Sequence, residues 1–362
     1  MLKVAVILPS FKNLGPEIVA RNIAEYSTKD IEFIFVSLRK NSDKDIKAFS
    51  RFEWYELSLG KIPLFSLKLK KIMKKIEPDI VHCHCFWPTV LVGIYLKKMK
   101  IISTLHNNPL EDFYYEYGRI ISFLMIKIMI FFQKKFYINI SISNYIKEVY
   151  EKLGLKNVVT IYNGVPEIKK LENLKIETES KKIKLITVSV LNKVKNVLFL
   201  LEVIKNLKES GKNLELKIIG NGVEKINLQT YMKENNLQDA VVFLGKLERN
   251  KVYEELKKAD IFLFSSLSEG FGLVIAEALL ANIPVVVGNI PVMYEIVKNN
   301  KNGIICDLNI KEYESAILKI YKDLDVFKEN TKKYFNKNFL AKNMSENYKK
   351  VYKKILEENR ND

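Results

Sequence analysis

The sequence predicts an α/β protein built from two parallel sheets, each covered by helices. Three observations carry this. Short apolar runs alternate with helical patterns from one end to the other. The same alternation restarts after a Lys- and Glu-rich stretch at residues 167–182. A chain of 362 residues with 48% hydrophobic content is long enough to bury about two cores. Continuous apolar runs bounded by turns fit strands buried on both faces, as parallel strands are.

In the first half the strand candidates are Lys3–Leu8, Glu32–Leu38, Ile80–Cys83, Ile101–Leu105, Tyr137–Ile142 and Val158–Ile161, each followed by a polar or Gly/Pro turn and a helix-like segment. Residues 1–166 therefore read as one Rossmann-like unit. Residues 167–182 have few large apolar side chains and read as a linker. The second unit, 183–341, offers Lys184–Leu191, Glu215–Ile219, Val241–Leu244, Ile261–Phe264 and Pro284–Val287 as strands, with helices such as Asn196–Ser210 and Phe271–Ala281. No repeat of fixed period points to a solenoid. The tail, 342–358, sets Met344, Tyr348, Val351, Tyr352 and Ile355 on one helical stripe, which should pack on a domain surface.

The net charge of +17 favours anionic partners: phosphates, nucleic acid or an acidic membrane surface. No nucleic-acid-binding module appears, so nucleic acid is not expected as a partner. Three cysteines form no paired framework and fit a reducing, cytoplasmic setting. The first strand ends at Pro9 without the apolar core and cleavage site of a signal peptide. The most apolar stretch, between Gly118 and Phe136, is interrupted by Lys127 and is too short to span a bilayer. It has two readings. Its large apolar side chains and Arg119, Lys127, Lys134 and Lys135 would lie on an anionic leaflet, whereas an apolar surface that runs nearly all round would be buried.

In open parallel sheets ligands bind beyond the C-terminal strand ends, so two facing sheets would place a substrate in a central cleft. The strongest local signal follows the strand Ile261–Phe264: Ser268-Glu269-Gly270-Phe271-Gly272-Leu273, continuing to Glu277. Gly270 and Gly272 permit a tight turn, and a helix starting near Phe271 offers free amides to a phosphate. Glu269 stands in the turn and Glu277 in an otherwise apolar helix, where sugar or ribose hydroxyls would satisfy their carboxylates; a cap and a core salt bridge are the competing readings. Lys195, after another strand, can reach a diphosphate. Gly220 and Gly222 form a further strand-to-turn pair.

In the first half, His82, His84 and His106 fall at strand ends. His82 and His84 share one strand face and Cys83 and Cys85 the other, so the four cannot close one tetrahedral zinc site without a break in the strand. Either His84 or His106 also fits a satisfied core histidine. The loop Asn13-Leu14-Gly15-Pro16-Glu17 follows the first strand and could approach a substrate phosphate or sugar. The pairs Asp43/Asp45 and Asp323/Asp325 sit in Lys-rich segments and look like solvated surface.

Taken together, these motifs resemble the GT-B glycosyltransferases of family 4, the retaining group 1 enzymes with a Glu-x7-Glu motif, and the resemblance spans nearly the whole chain. Glu269 and Glu277 have the motif's spacing, Asn163-Gly164-Val165 looks like the interdomain Asn-Gly-Val, Gly220-Asn221-Gly222 like the Gly-x-Gly turn, and Lys195 and His106 like the phosphate-binding lysine and cleft histidine. The C-terminal helix resembles one that crosses back to the first domain. The resemblance implies a donor-binding second domain, an acceptor-binding first domain, and transfer from a nucleotide-diphosphate sugar to a hydroxyl of a glycan or lipid-linked acceptor in a bacterial surface polysaccharide pathway, at the inner face of the cell membrane. Glu269, Lys195 and His106 would act in catalysis. Glu277, Gly270, Phe271, Gly272, Leu273, Gly220 and Gly222 would join Lys195 in holding the donor, and Gly15, His84 and Asn163 would face the acceptor or cleft. No cofactor or metal is expected. Other readings are a catalytically silent glycan-binding partner or a sugar-nucleotide epimerase. The sequence departs from the family at Val190, where an arginine usually stands five residues before the lysine, and Lys193 or Arg249 would have to supply the second charge.

Overall fold

The computed structural model describes residues 1–12, 14–60, 67–167 and 182–357. Most of the expected linker, residues 168–181, lies outside them, as do Asn13 and Glu358. The chain divides into two compact units, Met1–Pro166 with Lys337–Asp362, and Glu167–Asn336.

The first unit holds a seven-stranded sheet: β1 (Leu2–Leu8), β2 (Ile31–Ser37), β3 (Glu53–Glu56), β4 (Ile80–His84), β5 (Ile101–Leu105), β6 (Ile138–Ser141) and β7 (Val158–Thr160). All pairings are parallel, in the order β3-β2-β1-β4-β5-β6-β7. The second unit holds β8 (Ile183–Val188), β9 (Leu214–Ile219), β10 (Val241–Gly245), β11 (Ile261–Phe264), β12 (Val285–Gly288) and β13 (Gly303–Cys306). These pair parallel in the order β10-β9-β8-β11-β12-β13. Strands such as β1, β4 and β11 are buried along nearly their whole length because helices cover both faces. Leu185, Leu200, Leu216 and Ile261 belong to the core of the second unit, and Ala5, Ile7, Val36 and Val81 to that of the first.

Two strands go unpredicted by the pattern. β3 is a polar edge strand, Glu-Trp-Tyr-Glu, that is half exposed, and β13 opens on Gly303 after an Asn/Lys turn. The helix expected from Phe271 begins at Leu273, because Gly272 takes the left-handed conformation (φ 82°) and breaks the first turn. The chain rejoins the first unit at Lys337 and not at residue 342. Leu340 bridges Val165 in parallel register, and the amides of Val165 and Ala341 donate to Phe339 O and Val165 O. Gly164 makes this crossing possible, since a Cβ there would sit 2.6 Å from the Ala341 backbone. The helix Ala341–Glu357 then packs on the helix Gly15–Glu25, burying Met344, Tyr348, Tyr352 and Ile355.

Candidate functional site

Each sheet changes direction of winding once, between β1 and β4 and between β8 and β11. The loops beyond those strand ends part to opposite faces and leave a crevice for a ligand.

At the second switch point the loop after β8 meets the loop after β11. Ser265 Oγ donates to the carbonyls of Lys195 (3.1 Å) and Asn196 (2.9 Å), and Ser266 Oγ and the Leu267 amide both donate to Val194 O. This lacing brings the Lys195 ammonium onto Glu269 Oε1 in a close ion pair between two largely buried side chains. The same ammonium lies 6.0 Å from the centre of the Phe264 ring. Asn192 caps the short turn Lys193–Lys195 by accepting from the Lys195 amide at 3.0 Å.

Glu277 projects from the helix Leu273–Leu280 toward the helix Arg249–Lys257. Arg249 Nη2 donates to Glu277 Oε1 at 2.6 Å, and the Tyr253 hydroxyl donates to the same oxygen at 3.1 Å. Burial works against the Arg249 charge, but the adjoining carboxylate more than offsets it and holds the guanidinium above its ordinary value. Arg249 is therefore committed to Glu277, which limits its use as a replacement for the arginine missing at Val190. Val190 itself is 47% exposed.

Gly220 and Gly222 have a steric reason. A Cβ would stand 1.8 Å from Ser189 O at the first and 2.2 Å from Leu191 O at the second. The glycine turn can thus lie against the Ser189–Leu191 segment, where the Leu191 amide donates to Asn221 O. Gly272 caps the helix behind Glu269, and the Ile275 and Ala276 amides both reach back to its carbonyl. The amides of Leu273 and Val274 have no partner within the helix. Phe271 is buried and anchors this turn in the core.

At the first switch point, Glu17 lies in the first turn of the helix that opens on Gly15 and Pro16. It is buried; Oε1 accepts from Ser10 Oγ at 3.2 Å, and Oε2 has no hydrogen-bond partner among the described residues. Burial raises its carboxyl to about 7; burial, with the Glu17 charge adding to it, also raises the thiol of Cys85, next after β4. A Cβ on Gly15 would meet nothing within 4 Å, so the approach is open. From the neighbouring strand ends, His84 Nδ1 lies 2.8 Å from His106 Nε2, and the rings stack with centroids 5.0 Å apart. His84 is fully buried, and its Nε2 has no hydrogen-bond partner among the described residues. His106 is partly exposed. Burial lowers His106 to about 3 and His84 well below its ordinary value, so both rings are neutral near pH 7.

His82 takes the structural part. Its Nδ1 meets the Tyr352 hydroxyl at 2.9 Å and its Nε2 meets Thr104 Oγ1 at 2.8 Å, while Thr104 also meets Tyr348 at 3.0 Å. This network ties the C-terminal helix to the sheet. Asn163 is buried beside the chain crossing, and Asn22 Nδ2 donates to Gly164 O at 3.2 Å. Asp45 completes a capping box with Ser42, and Asp323 and Asp325 lie at the start of the helix Leu324–Tyr334. Among the described residues, no three His, Cys, Asp or Glu side chains are grouped to hold a metal. The sequence reading missed Tyr253 as a partner of Glu277, although Arg249 and Tyr253 lie four apart on one helix face.

The family model for glycosyl transferases group 1 matches residues 169–338, and that for Glycosyltransferase Family 4 matches residues 15–167. An O-antigen biosynthesis glycosyltransferase, WclY, from Escherichia coli is 32% identical over 309 residues, covering 82% of each chain. The chain belongs to the group 1 glycosyltransferases. It is an enzyme of this family, and the glycosyltransferase has more distant relatives too. The N-acetyl-alpha-D-glucosaminyl L-malate synthase of Bacillus anthracis is 24% identical over 340 residues, covering 87% of this chain and 84% of its own. Among solved structures, Anabaena HepE in complex with UDP and glucose superposes with a TM-score of 0.82 at 17% identity, over 98% of this chain and all of that one. A glycosyltransferase of Rickettsia africae gives 0.77 at 21% identity, over 98% of both chains. The glycosyltransferase therefore has the GT-B fold of two Rossmann-like domains.

Proposed function

We propose that this glycosyltransferase moves a sugar from a nucleotide-diphosphate donor to a hydroxyl of a glycan or lipid-linked acceptor, with retention at the anomeric carbon, in bacterial surface polysaccharide biosynthesis. The setting would be cytoplasmic, at the inner face of the cell membrane. The name of the Escherichia coli relative supports the pathway class, and that of the Bacillus anthracis relative supports only transfer to a hydroxyl, there that of L-malate. The observation that carries the reading is the convergence of Lys195 and Glu269 at the β8/β11 switch point, with Glu277 held by Arg249 on the helix that follows.

In this mechanism the second unit binds the donor. As the bond from the anomeric carbon to the diphosphate breaks, negative charge grows on the leaving phosphate, and Lys195 with the amides of Leu273 and Val274 stabilises it. The donor phosphate competes with Glu269 for the Lys195 ammonium, which frees the Glu269 carboxylate to accept from sugar hydroxyls and to face the developing positive charge on the ring. Glu277 keeps Oε1 on Arg249 and Tyr253 and offers Oε2 to the ribose hydroxyls. The charge is met by protein groups, so the step calls for no metal. The first unit takes the acceptor, with Gly15 leaving room and the neutral His106 positioning its hydroxyl by hydrogen bonding; the acceptor oxygen bonds the anomeric carbon on the face that the diphosphate leaves, and its proton passes to the departing phosphate oxygen.

A panel of nucleotide sugars followed by thermal shift, then turnover with NMR assignment of the product anomer, tests this. Stabilisation by one nucleotide sugar and a product of unchanged anomeric configuration are expected. A product of inverted configuration, or no shift with any nucleotide sugar, would overturn it.

A further inference from the structure

The helix Arg119–Gln133 is apolar on nearly every side, yet it is covered on one side only. Its inner face buries Ile126, Met129, Ile130 and Gln133, and Phe132 fills the space over Gly93, where a Cβ would come within 2.4 Å of the ring. The outer face exposes Ile120 (78%), Phe123 (57%), Leu124 (54%) and Phe131 (56%). Contiguous exposure of this kind marks an interaction surface and not a scatter of surface leucines. Beside it runs a groove of about 820 Å³ walled by Leu110, Tyr114, Phe123, Ile126, Ile130 and Phe131. Arg119, Lys127 and Lys134 line the same groove, and among the described residues no carboxylate does. The acidic Glu111 and Glu116 of the preceding helix accept from Tyr145 and Tyr117 instead.

The positions of the cations narrow the partner. The Lys127 ammonium sits 4.6 Å from the centre of the Phe123 ring and that of Lys135 3.9 Å from the Phe131 ring. None of Arg119, Lys127, Lys134 and Lys135 makes an ion pair among the described residues. Large apolar side chains with unpaired cations at their margin, and exposed Tyr114, Tyr115 and Tyr117 alongside, match the depth profile of a lipid interface: rings and aliphatics among acyl chains, cations snorkelling to phosphates. A second copy of this chain on the same face would set four cations against four.

We propose that the outer face of the helix Arg119–Gln133 and its groove form a docking surface for an anionic lipid leaflet, with Ile120, Phe123, Leu124 and Phe131 inserted where the headgroups meet the acyl chains and Arg119, Lys127, Lys134 and Lys135 on lipid phosphates. The docking deepens the proposed lipid-linked acceptor by placing the enzyme on the surface that carries it, and is tested without any sugar. The full chain is sedimented with phosphatidylcholine vesicles, with and without phosphatidylglycerol, at low and high salt. Binding to the anionic vesicles that weakens with salt is expected. The triple variant Lys127→Glu, Lys134→Glu, Lys135→Glu should bind them more than about tenfold more weakly. The pair Ile120→Ser, Phe123→Ser should lose binding while keeping the wild-type melting temperature and turnover of a water-soluble acceptor. Recovery in the supernatant with anionic vesicles at low salt, or a concentration-dependent dimer abolished by Phe123→Ser, overturns the docking. Vesicle binding by a protein that turns over no nucleotide sugar would support it while refuting the proposed reaction.

Discussion

Arg249 Nη2 stands 2.6 Å from Glu277 Oε1, and the Tyr253 hydroxyl reaches the same oxygen. The carboxylate is thereby oriented with one oxygen engaged and the other turned from these two partners. Replacing Glu277 by Ala leaves Arg249 and Tyr253 without their acceptor, and should cost about 1–3 kcal/mol of stability. Glu277→Gln keeps an acceptor oxygen and separates the two effects: it should fold near wild-type stability yet bind UDP more weakly by calorimetry. Unchanged affinity in Gln and Ala variants alike would remove Glu277 from the nucleotide site.

Glu269 should behave differently. In the proposed mechanism it faces the reacting sugar, so Glu269→Gln should lower kcat on the order of a hundredfold without weakening UDP binding, which tightens as the competing ion pair with Lys195 is lost. Steady-state kinetics with calorimetry on the same preparation checks this. A loss confined to binding would assign Glu269 to the structural pairing with Lys195 alone.

Val190→Arg should tighten UDP binding by about tenfold, since a second cation near the Lys195 loop adds a charge-assisted contact and the exposed position lets the side chain extend. Equal or weaker binding by calorimetry would show that the site is already served by another group.

Glu17 makes stability depend on pH. Its carboxyl is raised from 4.5 to about 7, chiefly by burial. The folded state keeps a proton that the unfolded chain has released, so the stabilisation is complete below about pH 4.5 and is lost as the pH rises through about 7. Glu17→Gln should remove a pH-dependent loss on the order of 3 kcal/mol between pH 5 and pH 8, measured by urea unfolding at both values. The same pH slope in both proteins would place the dependence elsewhere.

The sequence by itself determined the two-unit α/β grammar, most strand positions, and the eight-residue spacing of Glu269 and Glu277, because apolar periodicity and turn residues are local properties of the chain. It also marked Lys195, His106 and the glycine turns as lying just past strand ends. Tertiary structure decided which of these meet. Lys195 and Glu269, 74 residues apart, pair because β8 and β11 are hydrogen-bonded neighbours. Tyr352 closes on His82 across 270 residues because Gly164 lets the returning chain pass. Strand order is a global choice among pairings, and no local pattern encodes it. For the same reason the run from Arg119 to Gln133 shows its apolar character in sequence but not its free face: which side is buried depends on Gly93 and Phe132, in another helix and in its own, fitting together.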